Sequence, residues 1–328
     1  GSRLRSTMPA MRLLPLVLIS VCVACNSRPA GDGAVACGTL EPRSSDEVAL
    51  CNAIDQAVIA NVALPSGTPP ATGWPAIVVL HGSGGLHQAQ GEGDELGPCS
   101  MVLHDQFRIW RDILNERGYA VIMPDSFYSR GFCEWREPFD EVPRELDERE
   151  RLIVRTFDAR AAIDWLCEHD EIDCDRVALL GFSNGASVVL TTTHDDPSTL
   201  SDARLATLAP VQPLRGGVAY YPGCGLSSQL ADTLDGSALA RFLSPAAPLL
   251  VQHAALDPLL DTCAELRDAQ VDAVAAARGR SEDWFELNVY ANAEHGFDVW
   301  FTGDPQANLD ARTAAQASTL DALAGWMQ

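Results

Sequence analysis

The chain has no lysine. All 23 of its basic residues are arginine, and 45 acidic residues leave a net charge of −22 over 328 residues. Without a lysine amine there is no Schiff base to pyridoxal phosphate, no class I aldolase chemistry and no P-loop lysine on a nucleotide phosphate. The acidity also argues against a nucleic-acid partner, because non-specific affinity there comes from Lys and Arg on phosphates. The same field repels polyanionic substrates. Internal repeats and long low-complexity stretches are missing as well. The composition that remains, 47% hydrophobic and 21% charged, is ordinary for a globular protein. The length suits one large α/β domain or two small ones, and either buries a substantial core.

The apolar run Leu13–Ala24 is too short for a comfortable transmembrane helix. With Arg3, Arg5 and Arg12 before it and small residues after it, it reads as a secretion signal. Gly1-Ser2 reads as a vector-derived or trimmed end, with Met8 and Met11 as candidate starts. The run closes on Cys22-Val23-Ala24-Cys25, which resembles the lipobox of bacterial lipoproteins and makes Cys25 a candidate lipidation site. Cys22 stands where Leu is usual, so ordinary signal cleavage stays open. Residues 1–25 are assigned to the signal. Residues 26–55 are assigned to a polar tether and N-terminal extension, and 56–328 to an α/β domain. The expected location is the bacterial periplasm or outer membrane, with membrane contact only through a lipid on Cys25.

Setting Cys22 and Cys25 aside leaves eight cysteines, and an even count in an exported chain suggests disulfides. Sequential pairing is the working hypothesis: Cys37–Cys51, Cys99–Cys133, Cys167–Cys174 and Cys224–Cys263. Several free buried thiols are the alternative. None of the eight has the short spacing of a zinc finger, and no metal is expected.

From about residue 74 apolar runs alternate with helical patterns, the signature of a parallel β/α sheet. Strands are predicted over 76–80, 119–123, 177–180, 217–221, 249–253 and 285–290. Helices are predicted over 108–117, 152–168 and 308–327, and residues 56–64 suit an early antiparallel edge strand. The densely charged stretch Glu134–Arg151 reads as a solvated loop and first helical turn, or as a lid.

Gly181-Phe182-Ser183-Asn184-Gly185 matches G-x-S-x-G directly after a predicted strand and before a helical segment, the context of a nucleophile elbow. Glycines two residues either side let the sharp turn close without collision. His81-Gly82-Ser83-Gly84-Gly85 follows an earlier strand, and such loops supply backbone N–H groups to an oxyanion. One donor is assigned to Asn184 N–H and the other to Ser83 or Gly84 N–H. A serine needs a base and the base an orienting acid. Of seven histidines only His295 follows the last predicted strand. Asp257 follows the preceding one, with Asp261 the runner-up. Asp298 and Glu294 stand too close to His295 in sequence to be favoured, and His253 falls within a strand.

Taken with Arg117-Gly118-Tyr119, Pro124-Asp125-Ser126-Phe127, Asp164-Trp165-Leu166 and His295-Gly296-Phe297-Asp298, these motifs resemble the dienelactone hydrolase family of α/β-hydrolases, particularly its exported members. The resemblance spans about residues 56 to 328. It implies a mostly parallel eight-stranded sheet flanked by helices, and a Ser183, Asp257 and His295 triad that cleaves small carboxylic esters without a cofactor. The name-giving enzymes carry Cys at the nucleophile position, where this chain has Ser183. In an oxidising compartment a hydroxyl escapes the disulfide capture and oxidation open to a thiolate.

Phe127, Tyr128, Trp135, Phe297 and Trp300 lie in segments expected at the sheet's carboxyl edge, where Phe127 and Trp300 would touch substrate. Aromatic core packing is the competing reading. Arg130 would bind a substrate carboxylate, or else pair with the acidic segment. The rival functions are a peptidase or polysaccharide acyl-esterase on the same fold, a non-catalytic binding protein, and a metal enzyme using His81, His87 and His104.

Overall fold

The computed structural model describes residues 35–89, 99–134, 147–210, 214–228, 230, 245–268, 284–299 and 304–328. Cys25, Trp135, Trp300 and most of the charged stretch 134–151 lie outside them. In chain order the strands are β1 Glu47–Cys51, β2 Ala57–Ala63, β3 Trp74–Leu80, β4 His87–Ala89, β5 Cys99–Leu103, β6 Ala120–Asp125, β7 Ile172–Phe182, β8 Leu214–Tyr220, β9 Leu249–Ala254 and β10 Phe285–Tyr290. The α-helices are α1 Asp105–Glu116, α2 Glu148–Glu168, α3 Asn184–Thr192, α4 Cys224–Ser228 and α5 Pro305–Trp326.

Eight strands form one sheet in the order β1-β2-β6-β3-β7-β8-β9-β10, and β4 pairs with β5 apart from it. From β6 to β10 every pairing is parallel, while β2 runs antiparallel to both β1 and β6. The side-chain period of two divides the core cleanly. Ala76, Val78 and Leu80 of β3 face the layer of α2 and α3, where Leu152, Phe157, Val188 and Leu190 pack. Ile77 and Val79 face the other layer, with Phe107, Trp110 and Leu114 of α1 and Ala311, Ala315 and Leu323 of α5. Both faces of the central strands are covered, which is why they read as unbroken apolar runs. Asp147 caps α2 by accepting the Glu150 N–H at 2.7 Å, and Asp304 caps α5 with Pro305 in its first turn.

Two expectations about the chain's first part need correction. The sheet begins at Glu47, so β1 belongs to the domain expected to start at 56. Strand β2 is antiparallel but internal, and β1 is the edge. The Glu47 carboxylate sits buried in that edge strand because Arg43 pairs with it. Among the described residues there are four disulfides: Cys37–Cys51, Cys99–Cys133, Cys167–Cys174 and Cys224–Cys263. They suit an exported protein. No helix among the described residues is long and apolar enough to cross a membrane.

Candidate active site

Ser183 follows β7, Asp257 follows β9 and His295 follows β10, so all three leave the carboxyl edge of the parallel sheet, where α/β folds place their sites. The turn at Ser183 is sharp, with φ 51° and ψ −119° on a non-glycine residue. Such a conformation persists only where its surroundings hold it. Gly181 and Gly185 make it feasible. A Cβ on Gly181 would lie 2.4 Å from the Gly185 carbonyl oxygen, and one on Gly185 would lie 2.3 Å from the Leu80 carbonyl oxygen.

Ser183 Oγ lies 3.0 Å from His295 Nε2, and His295 Nδ1 lies 2.6 Å from Asp257 Oδ2. The His295 side chain is partly exposed, while the Asp257 carboxylate is buried. Burial pushes the Asp257 pKa up. The hydrogen bond from His295, the Leu259 N–H at 2.9 Å and the nearby His295 and His253 imidazoles outweigh it, and the carboxyl is held below its usual value. The two loops are stitched together, since Ala255 N–H donates to Tyr290 O and Leu256 N–H to Ala293 O. Cys224–Cys263 ties the Asp257 loop to the start of α4. Asp261, the runner-up acid, is exposed.

The Gly-rich loop lies against the elbow. A Cβ on Gly82 would stand 3.4 Å from Ser183 Cβ, and Gly85 N–H closes the turn on Gly82 O at 3.1 Å. Among the described residues, the N–H groups of Ser83, Gly84 and Asn184 have no backbone acceptor. Asn184 N–H opens α3, where the helix end favours negative charge.

Other expected residues are placed elsewhere. Arg130 is buried, with Nη1 2.7 Å from Asp158 Oδ2 and Nη2 3.0 Å from Asp158 Oδ1. It also donates to Ser126 O and Gln56 Oε1, so among the described residues its terminal nitrogens are taken up inside the core and do not face an open site. Phe127 is 1% exposed, its ring 4.5 Å from that of His81 and 4.7 Å from that of Phe132. It is core, packed among His81, Phe132 and the Arg155 guanidinium, and it does not line an open site. Phe297 is likewise buried, against Tyr220, Tyr221 and Tyr290. His81, His87 and His104 do not converge. His81 donates from Nδ1 to Gly82 O and accepts Ser126 N–H, His87 pairs with Asp125, and His104 donates to Gly84 O.

Two residues were not anticipated. Tyr221, just past β8 with φ 41°, sets its ring 4.7 Å from that of His295 and donates its hydroxyl to buried Asp298. Gln106 donates to the same carboxylate, whose pKa is raised by burial. Arg155, on α2, touches both the elbow and the Gly-rich loop. The only sequence signal for either was position, a Tyr after a strand and an Arg inside an apolar helix.

The sequence matches the profile of the dienelactone hydrolase family over residues 62–328. The chain belongs to that family. It is a hydrolase acting on ester bonds, built on the α/β-hydrolase fold. Among solved structures it is similar to a provisionally assigned dienelactone hydrolase from Klebsiella pneumoniae, with a TM-score of 0.56, 18% identity, and coverage of 85% of this chain and 97% of that one. It is also similar to P91, a dienelactone hydrolase-like promiscuous phosphotriesterase from metagenomic libraries (TM-score 0.54, 17% identity, coverage 86% and 98%). A third is esterase 2 of Thermogutta terrifontis, phosphorylated by paraoxon (TM-score 0.52, 17% identity, coverage 85% and 95%). At these identities the likeness is one of fold. No curated protein matches the chain in sequence.

Proposed function

We propose that this dienelactone hydrolase family member is an exported serine carboxylesterase of small-molecule esters, acting through Ser183, His295 and Asp257 and an acyl-enzyme. The observation that carries the reading is the relay of 3.0 and 2.6 Å from a serine held at positive φ. His295 takes the Ser183 proton as Oγ attacks the ester carbonyl. Asp257 fixes the imidazole tautomer and stabilises the imidazolium. The Asn184 N–H and that of Ser83 or Gly84 receive the oxyanion. The leaving alcohol takes the proton from His295, and water then attacks the acyl-enzyme with His295 again as base. No cofactor enters. Export places the enzyme in the periplasm or at the outer membrane, with Cys25 as its lipid anchor.

The test is a fluorophosphonate probe with mapping of the adduct. Organophosphates are apt because a fold neighbour is phosphorylated by paraoxon. The expected result is an adduct on Ser183 that disappears in Ser183→Ala, together with a loss of about 10⁴ to 10⁶ in kcat on simple esters. A folded wild-type protein that takes no adduct would instead favour a binding protein on a hydrolase scaffold. Labelling with turnover of peptides or acylated polysaccharides, and none of small esters, would move the substrate class.

A further inference from the structure

Arg155 lies within α2 and is 1% exposed. A cation this deep is costly unless a carboxylate answers it. Here the nearby carboxylates are committed. Asp158 takes both terminal nitrogens of Arg130 and also Asn52 Nδ2. Asp125 takes His87 and the N–H groups of Phe127 and Tyr128. The Arg155 guanidinium instead divides its fork. Nη1 donates to Asn184 Oδ1 at 2.5 Å and Nη2 to the His81 carbonyl oxygen. Its carbon sits 5.2 Å from the Phe127 ring centroid. Burial pulls its pKa down to about 9, so it stays charged at neutral pH.

These two acceptors belong to separate segments of chain. His81 opens the Gly-rich loop after β3, and Asn184 is the residue after Ser183. They are the two segments whose amides would hold the oxyanion. We infer that Arg155 is a positioning residue for the oxyanion hole, its rigid fork setting the spacing between the two donor segments from beneath. The inference rests on the serine-hydrolase reading of Ser183. An apolar side chain would fill this part of α2 without the cost of a buried charge. A lysine would keep the charge but present one point donor where the guanidinium presents two in a fixed plane. Because the oxyanion forms only in the transition state, misplaced donors lower kcat more than they raise KM.

The experiment uses the full chain with Arg155→Met, Arg155→Lys and Asn184→Ala, each titrated for active sites with a fluorophosphonate. It measures kcat and KM on p-nitrophenyl acetate and the affinity of phenylboronic acid, whose serine adduct is tetrahedral. For Arg155→Met, kcat per active site falls by about 10²-fold with KM changed by less than about threefold, and boronate affinity falls in parallel. Arg155→Lys recovers part of that loss. Asn184→Ala keeps its main-chain N–H, loses about tenfold, and adds little when combined with Arg155→Met. Wild-type kcat and boronate affinity in Arg155→Met overturn the inference, as does a loss that vanishes once active sites are counted. Should Arg155→Met fail to fold, Asn184→Ala decides, and wild-type values there overturn the inference. A wild-type protein that neither labels nor turns over ester removes the serine-hydrolase reading and this inference together.

Discussion

His253 and His295 approach the same oxygen of Asp257, at 3.7 and 2.6 Å, yet only one of them hydrogen-bonds to it. His253 Nδ1 meets its own neighbour instead, 3.1 Å from the Ala254 N–H and 3.4 Å from the Ala254 carbonyl oxygen, and stays beyond hydrogen-bond reach of the carboxylate. Burial also lowers the His253 pKa. His295→Gln should therefore cost about 10⁴ to 10⁶ in kcat, the scale of a lost triad member. His253→Gln should stay within about tenfold of wild type, on the same triad scale. Equal losses in the two variants, measured on p-nitrophenyl acetate, would mean that the base has been misassigned.

Gly185 backs directly onto the strand that feeds the Gly-rich loop. An added Cβ would lie 2.3 Å from Leu80 O and 2.4 Å from His81 O, and backbone atoms cannot rotate aside. Gly185→Ala should destabilise the fold by about 1–3 kcal/mol or more and lower kcat as the elbow shifts. At Gly84 an added Cβ would meet nothing within 4 Å, so Gly84→Ala should leave the melting temperature unchanged. Similar melting temperatures for the two variants would contradict this geometry.

Acid should weaken the fold through His81. Burial, with the Arg155 charge beside it, pulls this imidazole down to about 3. In the unfolded chain it titrates near 6.5. Between those values the unfolded chain binds a proton that the folded chain refuses. The stability is thus present above about pH 6.5 and is lost as pH falls toward 3. The whole shift is worth on the order of 5 kcal/mol. Urea unfolding midpoints at pH 7, 5.5 and 4 should fall steeply in wild type and less steeply in His81→Gln, which keeps one donor and one acceptor. An identical slope would locate the acid sensitivity in other groups.

The parallel half of the sheet was legible because its strands are buried on both faces and bounded by glycine turns, as at 76–80 and 177–180. The loops carrying Ser183, Asp257 and His295 were legible because the chain order of strands fixes which edge they leave. Strand β1 was not, since five residues with a charged Glu47 carry no run, and the burial of that carboxylate rests on Arg43 and on the His87 imidazole 3.9 Å away, neither of which belongs to the strand. Arg130 was misread for a related reason. Its partner Asp158 lies on α2, a helix buried on nearly every side, and no local pattern marks a charged residue that is neutralised across a layer. The Arg155 contacts share this opacity, because each joins segments far apart in sequence.

The Cys224–Cys263 bridge closes a separation of 39 residues and stands six residues past Asp257, with both cysteines fully buried. Chain entropy alone gives such a loop about 4 kcal/mol of stabilisation, against about 2 kcal/mol for Cys167–Cys174, which spans only 7. Their positions differ as well as their lengths. Cys167 and Cys174 flank the turn from α2 into β7, at the amino end of the strand whose carboxyl end carries Ser183. Replacing Cys224 and Cys263 together by Ala should lower the melting temperature by about 10 °C. It should also reduce kcat, since the loop that aims Asp257 at His295 loses its tether. Replacing Cys167 and Cys174 should lower the melting temperature by less and leave kcat intact. If the first pair loses only stability, the bridge staples the fold and Asp257 is held by its own turn, through the Leu259 N–H and the Leu256 N–H bond to Ala293.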